Sequence, residues 1–360
     1  MKTRTSCVSL RDRMLLPALL ALIILSVTLP TQVEAQVYTG DLELTTQAAV
    51  DAFDYTEVIG NLSINGPAVG ISDIRNLSAL SRLRSVGGNL VLRRLTILQN
   101  VDGLSSLRSI DGNLEFLNNE SLANIDGLSS LTTVVGNIRF SLDGTLTNLY
   151  GLSSLTTLGG NLDFDRFPNV RGRTSLTSIG GSLNFVETGI DSLVGLFPEL
   201  STLGGGLAIY QCPMKNLDGL SALISVGGSL GIREVESLQN ITGLSSLKTV
   251  GGNLSLIHNS TLPNLDGLSS LTSVVGYLSI TDHDSLENLN GLSSLTSVGG
   301  DLNVANNRQL TEFCGLWRLL SADGVDGEVE HRIQRRQPHS GGNHRRRFMR
   351  CRYRRRRREG

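Results

Sequence analysis

The sequence predicts an all-β fold: a parallel β-helix or solenoid of about eleven 24-residue coils with a helical N-terminal cap. Three observations carry that expectation. The segment Gly-Leu-Ser-Ser-Leu begins at Gly103, Gly127, Gly151, Gly243, Gly267 and Gly291, with degenerate copies at Asn76, Gly172, Gly195, Gly219 and Gly315. From Gly103 the spacings are 24, 24, 21, 23, 24, 24, 24, 24 and 24, and a period of this size marks units that stack on one another. A second marker keeps step, the apolar residue after each Gly-Gly-Asn-like turn: Leu62, Leu90, Leu114, Ile138, Leu162, Leu183, Leu207, Leu230, Leu254, Leu278 and Leu302. Composition agrees, because 62 Leu against 4% aromatics among 360 residues suits a thin aliphatic core better than a conventional globular one.

The elements follow in chain order. Residues 1–13 carry Lys2, Arg4, Arg11 and Arg13 against Asp12, an apolar run fills 14–29, and the small residues Val33 and Ala35 precede Gln36. That is the pattern of a secretory signal peptide, so 1–35 is expected to be removed and the mature chain exported to the cell surface or secreted. The apolar run is interrupted by Pro17 and falls short of the ~20 residues a spanning helix needs, so no transmembrane segment is expected in the mature chain. Residues 36–58 read as the N-terminal cap: Thr46 stands at a helix start and apolar residues follow at helical spacing. Residues 59–308 are the repeats. Within 262–280, Leu278 and Ile280 flank Ser279 with strand periodicity. The Gly-Gly before each strand is expected to supply positive φ at a corner, and Asp266-Gly267 a second turn. Asn61, Asn89, Asn113, Asn137, Asn161 and Asn253 precede successive strands and read as stacked amides that satisfy turn backbone. One coil buries too little to stand alone, so stability must come from neighbours. Residues 309–329, with Trp317, read as a C-terminal cap.

The unit GNLSI…L..L.GLSSLTSVGG, and in particular Val274-Val275-Gly276-Tyr277-Leu278-Ser279-Ile280, resembles the receptor L-domain family. That family includes domains of the epidermal growth factor and insulin receptor ectodomains and of sporulation-related fungal cell-wall proteins. Residues 46–64 look like the start of such a domain, and the resemblance covers roughly 45–328. It implies a right-handed, leucine-rich-repeat-like β-helix and says little about function. Members often carry a capping cysteine near the start, where this chain has Tyr55, so that disulfide is absent.

Charge divides the chain. Residues 331–360 hold 13 Arg against Glu359, which leaves residues 1–330 with 19 basic and 32 acidic residues, a net of −13. The Arg-rich segment 330–360 lies outside the leucine pattern and is expected to be disordered. Codons exist for 330–349 that, read one base later, spell a strand, an Asn-Pro turn and a short helix, so a shifted frame is the expectation there. A nucleic-acid arm is disfavoured, since an exported chain seldom needs one and no aromatic interleaving supports base stacking.

Motifs of chemistry are sparse, and the expectation is a non-enzyme with no cofactor and no metal. Cys212 and Cys314 lie four coils apart, too far for a disulfide; Cys212 reads as a buried small residue, and Cys314 is expected to lack a partner if the tail is out of frame. His258 and His283, near Asp282 and Asp284, fall short of a converging ligand set and read as solvated loop residues. Asp163 and Asp165 share an outer strand face, as in polysaccharide-cleaving β-helices, but lack a neighbouring His, Lys or third acid. The Gly-Leu-Ser-Ser segments are periodic turns rather than nucleophile elbows, and Gly204-Gly205-Gly206 lacks the strand–helix context of a phosphate loop. Glycosylation sequons begin at Asn61, Asn76, Asn119, Asn240, Asn253 and Asn259.

Function therefore falls to binding of an extracellular protein or glycan, with a structural role in a wall or matrix, and after it a polysaccharide-active β-helix enzyme, as the alternatives. Outward strand positions are mostly small or neutral: Ser63, Val91, Ala208, Gly231, Ser255, Ser279 and Asn303. The exceptions cluster at Glu115, Arg139 and Asp163, with Arg166 and Phe167 beside them and Tyr210 two coils on. The repeat also slips there, and Arg and aromatic residues are enriched at binding hot spots, so these six are the candidate ligand-binding residues.

Overall fold

The computed structural model describes residues 36–142 and 144–332. The expected signal peptide and most of the Arg-rich segment lie outside the described residues. Those described form a parallel β-solenoid in which each coil contributes one strand to each of two all-parallel sheets. One sheet is built of two-residue strands, twelve in sequence order from Val37–Tyr38 to Ser297–Val298; the other, mostly of four-residue strands, holds thirteen from Leu42–Leu44 to Val329–Arg332. All eleven marker residues open a strand of the second sheet and pair in register, Leu62↔Leu90 and Leu254↔Leu278 among them.

A third column closes the coil. At the Gly-Leu-Ser-Ser-Leu segment the chain makes a short 3-10 helix, as at Asp102–Leu104 and Asp266–Leu268, rather than the expected simple turn. Its start is fixed by an asparagine two residues earlier, whose Oδ1 accepts the backbone N–H: Asn100 from Asp102, Asn264 from Asp266. The glycines serve a different purpose from the expected one. Among the described residues only Gly40, Gly70, Gly172 and Gly195 have positive φ, and no Gly-Gly pair does. Glycine is required by proximity: a Cβ at Gly267 would fall on the Ile241 carbonyl of the preceding coil, and one at Gly136 on Asn113 Oδ1. From the strand that begins at Leu90 to the one that begins at Leu302, the left-handed backbone lies instead on the residue after each long strand, a non-glycine such as Arg94, Asn118 or His258.

The asparagine ladder stands as read. Asn61 Oδ1 accepts from the Asn89 N–H (2.7 Å), Asn89 from Asn113 (2.7 Å), Asn113 from Asn137 (2.8 Å) and Asn137 from Asn161 (2.7 Å). Ser182 and Ser229 continue the column with hydroxyls. This explains Gly-Gly-Asn as a unit across two coils, since the amide of one coil occupies the space a side chain on the next coil's second glycine would need.

The core is an aliphatic stack with one aromatic insert. Phe116, Phe140, Phe164 and Phe185 stack nearly parallel, with centroids 5.2, 5.5 and 5.2 Å apart. Phe167 tilts against Phe140 and Phe164, and Phe197 meets Phe185 edge-on. This cluster lies where the spacing falls to 21 and 23. There the chain has no 3-10 helix, Gly172 and Gly195 adopt positive φ, and the rings fill the altered interior.

Both ends depart from expectation. No helical lid precedes the first coil: strands Val37–Tyr38 and Leu42–Leu44 already extend both sheets, and the helix Gln47–Asp51, N-capped by Thr46, heads the 3-10 column. At the other end a 3-10 turn and the helix Trp317–Ser321 belong to a further coil, whose strand Val329–Arg332 runs past the boundary expected at 329. Cys314 is disulfide-bonded. Cys212 is the free thiol among the described residues, buried as expected, and burial raises its pKa. Asn119 and Asn259 are fully buried, so neither can accept a glycan.

Gly267→Ala is expected to destabilise the fold by about 1–3 kcal/mol or more, because its Cβ meets backbone that cannot rotate away. Gly231→Ala, where a Cβ meets only the Nε of Arg233 at 4.0 Å, is expected to change stability by less than about 1 kcal/mol. Urea denaturation of the pair checks both.

Candidate functional site

Parallel register turns period-2 alternation into rows. On the outer face of the long-strand sheet, Arg139 stands directly between Glu115 and Asp163, and Asp163 beside Asn184. The expected charged row therefore exists. Arg139 reaches Asp165 at 3.5 Å, and Ser141 donates to the same carboxylate at 3.1 Å. Asp163 accepts from Asn184 Nδ2 at 2.6 Å. The two aspartates thus serve different partners and form no shared acid pair. At the rim, the left-handed residue Arg166 projects outward and its Nε donates to Glu187 at 3.0 Å; that hydrogen bond, then the charge of Glu187, raises the guanidinium pKa.

Tyr210 closes the band at a half-buried position aligned with Val186 and Arg233. Partial burial, followed by the charges of Glu234 and Glu187, pushes its phenol pKa up. Phe167 does not belong here. It is 1% exposed and packs on Phe140 and Phe164, so it fills the core that the shortened repeat leaves and cannot meet a ligand. Its sequence neighbour Arg166 is exposed because the left-handed turn between them sends consecutive side chains to opposite sides.

Sequence reasoning placed Asp165 and Tyr210 outward but did not see that they belong to a second outward column two residues along each strand. It contains Leu117, Ser141, Asp165, Val186, Tyr210 and Ile257, and it widens the face. The alternation that gave the first column, carried two residues further, signals it. A second omission is the loop 67–71, Pro-Ala-Val-Gly-Ile, where Val69 is 90% and Ile71 77% exposed. Its signal is the 28-residue spacing between Leu62 and Leu90.

Elsewhere, a shallow polar depression gathers Glu236, His258, Ser260, Asp282, Asp284, Asn306 and Arg308. Its groups satisfy one another: Arg308 pairs with Asp284 at 3.3 Å, Asn306 donates to Asp282 at 3.0 Å, and the Ser260 hydroxyl bonds the Glu236 carboxylate. Among the described residues no three His, Cys, Asp or Glu side chains converge as a metal site, and no helix is long and apolar enough to cross a membrane. His283, read as a solvated loop residue, is fully buried. No family model matches the chain, and no curated protein matches its sequence.

Phe167→Ala is expected to cost about 3–5 kcal/mol, as for other buried rings. Arg139→Ala with Arg166→Ala, at exposed ion pairs, is expected to leave the melting temperature nearly unchanged. Thermal denaturation followed by circular dichroism distinguishes the two.

Proposed function

We propose that this chain is an exported, non-catalytic repeat protein that presents the outer face of its long-strand sheet to an extracellular protein or glycan. The observation that carries this reading is the in-register row Glu115–Arg139–Asp163, flanked by Asp165, Arg166 and Tyr210, in a column of outward residues that is otherwise small or neutral. The Arg139 and Arg166 side chains remain 49% and 57% exposed within their ion pairs. Exposed pairs of this kind add little to stability, so a partner's charges can exchange with them at small cost. Tyr210 adds a flat apolar surface with a polar tip, a combination suited to both sugar and protein contacts. The resemblance to the receptor L domain and the secretory pattern of residues 1–35 support the cell-surface setting.

A second reading, a wall or matrix component without a discrete ligand, draws on the neutral stretch Ala208, Gly231, Ser255 and Ser279 of the same face. Protein and glycan arrays probed with the purified chain test both. Binding that weakens at least ~10-fold in the Arg139→Ala, Arg166→Ala double variant, with folding intact, supports the first reading. Unchanged affinity overturns the assignment of these residues, and silence on both arrays favours the structural role.

A further inference from the structure

His283 occupies a place where three other coils carry asparagine. The second residue after the long strand points inward, and an asparagine there bridges coils. Asn119 Oδ1 accepts from the Leu95 N–H at 3.1 Å while its Nδ2 donates to the Leu92 carbonyl at 3.0 Å. Asn259 repeats this with Val235 (3.1 Å) and Ile232 (3.0 Å), and Asn307 with the N–H of His283 (3.0 Å) and the Ile280 carbonyl (2.9 Å). His283 sits between the last two, fully buried, with Nδ1 3.2 Å from the Asn259 N–H donor. Its Nε2 makes no hydrogen bond. To replace the asparagine oxygen, the ring must be neutral and Nδ1 must carry no proton.

We propose that His283 is an acid-operated latch: on taking up a proton it ceases to accept from Asn259, and the coils from residue 259 to the C-terminal edge open locally. A protonated ring turns Nδ1–H toward the Asn259 carbonyl, 3.1 Å away, and leaves the Asn259 N–H facing a donor. An unpartnered N–H and a buried cation then act together against the closed stack.

The charged groups that act on the ring are Asp282 in its own coil and His258 in the coil before, and Asp284, Glu236 and Arg308 line the polar depression that Asp282 and His258 share. Burial dominates and lowers the His283 pKa; the Asn259 and Leu256 carbonyls and the Asp282 carboxylate oppose it, while His258 reinforces it. Opening exposes the ring and restores its ordinary pKa of about 6.5, so below that pH the open form binds more protons than the closed form. Closure is therefore at full strength above about pH 6.5 and weakens as pH falls, until the closed form also titrates.

Hydrogen exchange on the full chain at pH 7.5 and 5.5, corrected for intrinsic rates, reads the latch directly. The opening constant for the amides of Asn259 and His283 is expected to rise about 10-fold at pH 5.5. In His283→Asn, whose side chain reproduces the neighbouring bridges, it is expected to stay level. The same pH dependence in that variant as in the natural chain overturns the proposal. If the variant does not fold, an NMR titration of the natural chain decides: a His283 pKa below the ordinary histidine value supports the latch, and one at or above it overturns it.

Discussion

The closest approach of one coil to the next governs this structure. Backbone carbonyls such as Ile241 O, and ladder amides such as Asn113 Oδ1, come so near the following coil that only glycine fits beneath them. That separation in turn sets everything else. It lets the short strands and the long strands hydrogen-bond on every coil, aligns the Asn–Ser column, and places the phenyl rings at stacking distance. A bulkier residue at one of these points forces two coils apart and breaks both ladders at once. The Gly-Leu-Ser-Ser-Leu motif is therefore a contact rule between coils as much as a local turn.

Much of this was legible in the sequence, because a rule repeated every 24 residues is easy to see. The strand starts from Leu62 to Leu302, the asparagine ladder and the burial of Cys212 could all be placed without coordinates. What escaped was conformation that depends on a neighbouring coil. Gly-Gly suggested positive φ because that is glycine's usual local use, whereas here its use is steric and lies between coils. The left-handed residues include Arg94, Leu142, Arg166, Glu187, Gln211 and Glu234, types that carry no local mark of that backbone, and only some are of the Asn, Asp or His types that favour it. His283 and Phe167 were misplaced for one reason: each follows the left-handed turn, which sends the next side chain into the core, and nothing in a linear reading shows the turn.

The candidate site and the irregular coils share an origin. Where three residues are lost between Leu162 and Leu183, the 3-10 column stops and aromatic rings take up the interior. The outer face keeps its register through the same coils, with Asp163↔Asn184 and Asp165↔Val186 paired as elsewhere. The deletion is thus absorbed on one side of the coil while the sheet face stays continuous. This permits the polar row from Glu115 to Tyr210 to vary in composition while the scaffold beneath it retains its hydrogen bonds.

Continuity of that face fixes a spacing for whatever it displays. Corresponding side chains recur about every 4.8 Å along the sheet, because that is the spacing of hydrogen-bonded strands. Ala208, Gly231, Ser255 and Ser279 stand in register at that spacing, and the Arg233 side chain reaches over Ser255, its Nη2 donating to the Ser255 Oγ at 3.3 Å. Glu115, Arg139 and Asp163 alternate negative, positive, negative at the same spacing, so the charge on this face reverses from one coil to the next.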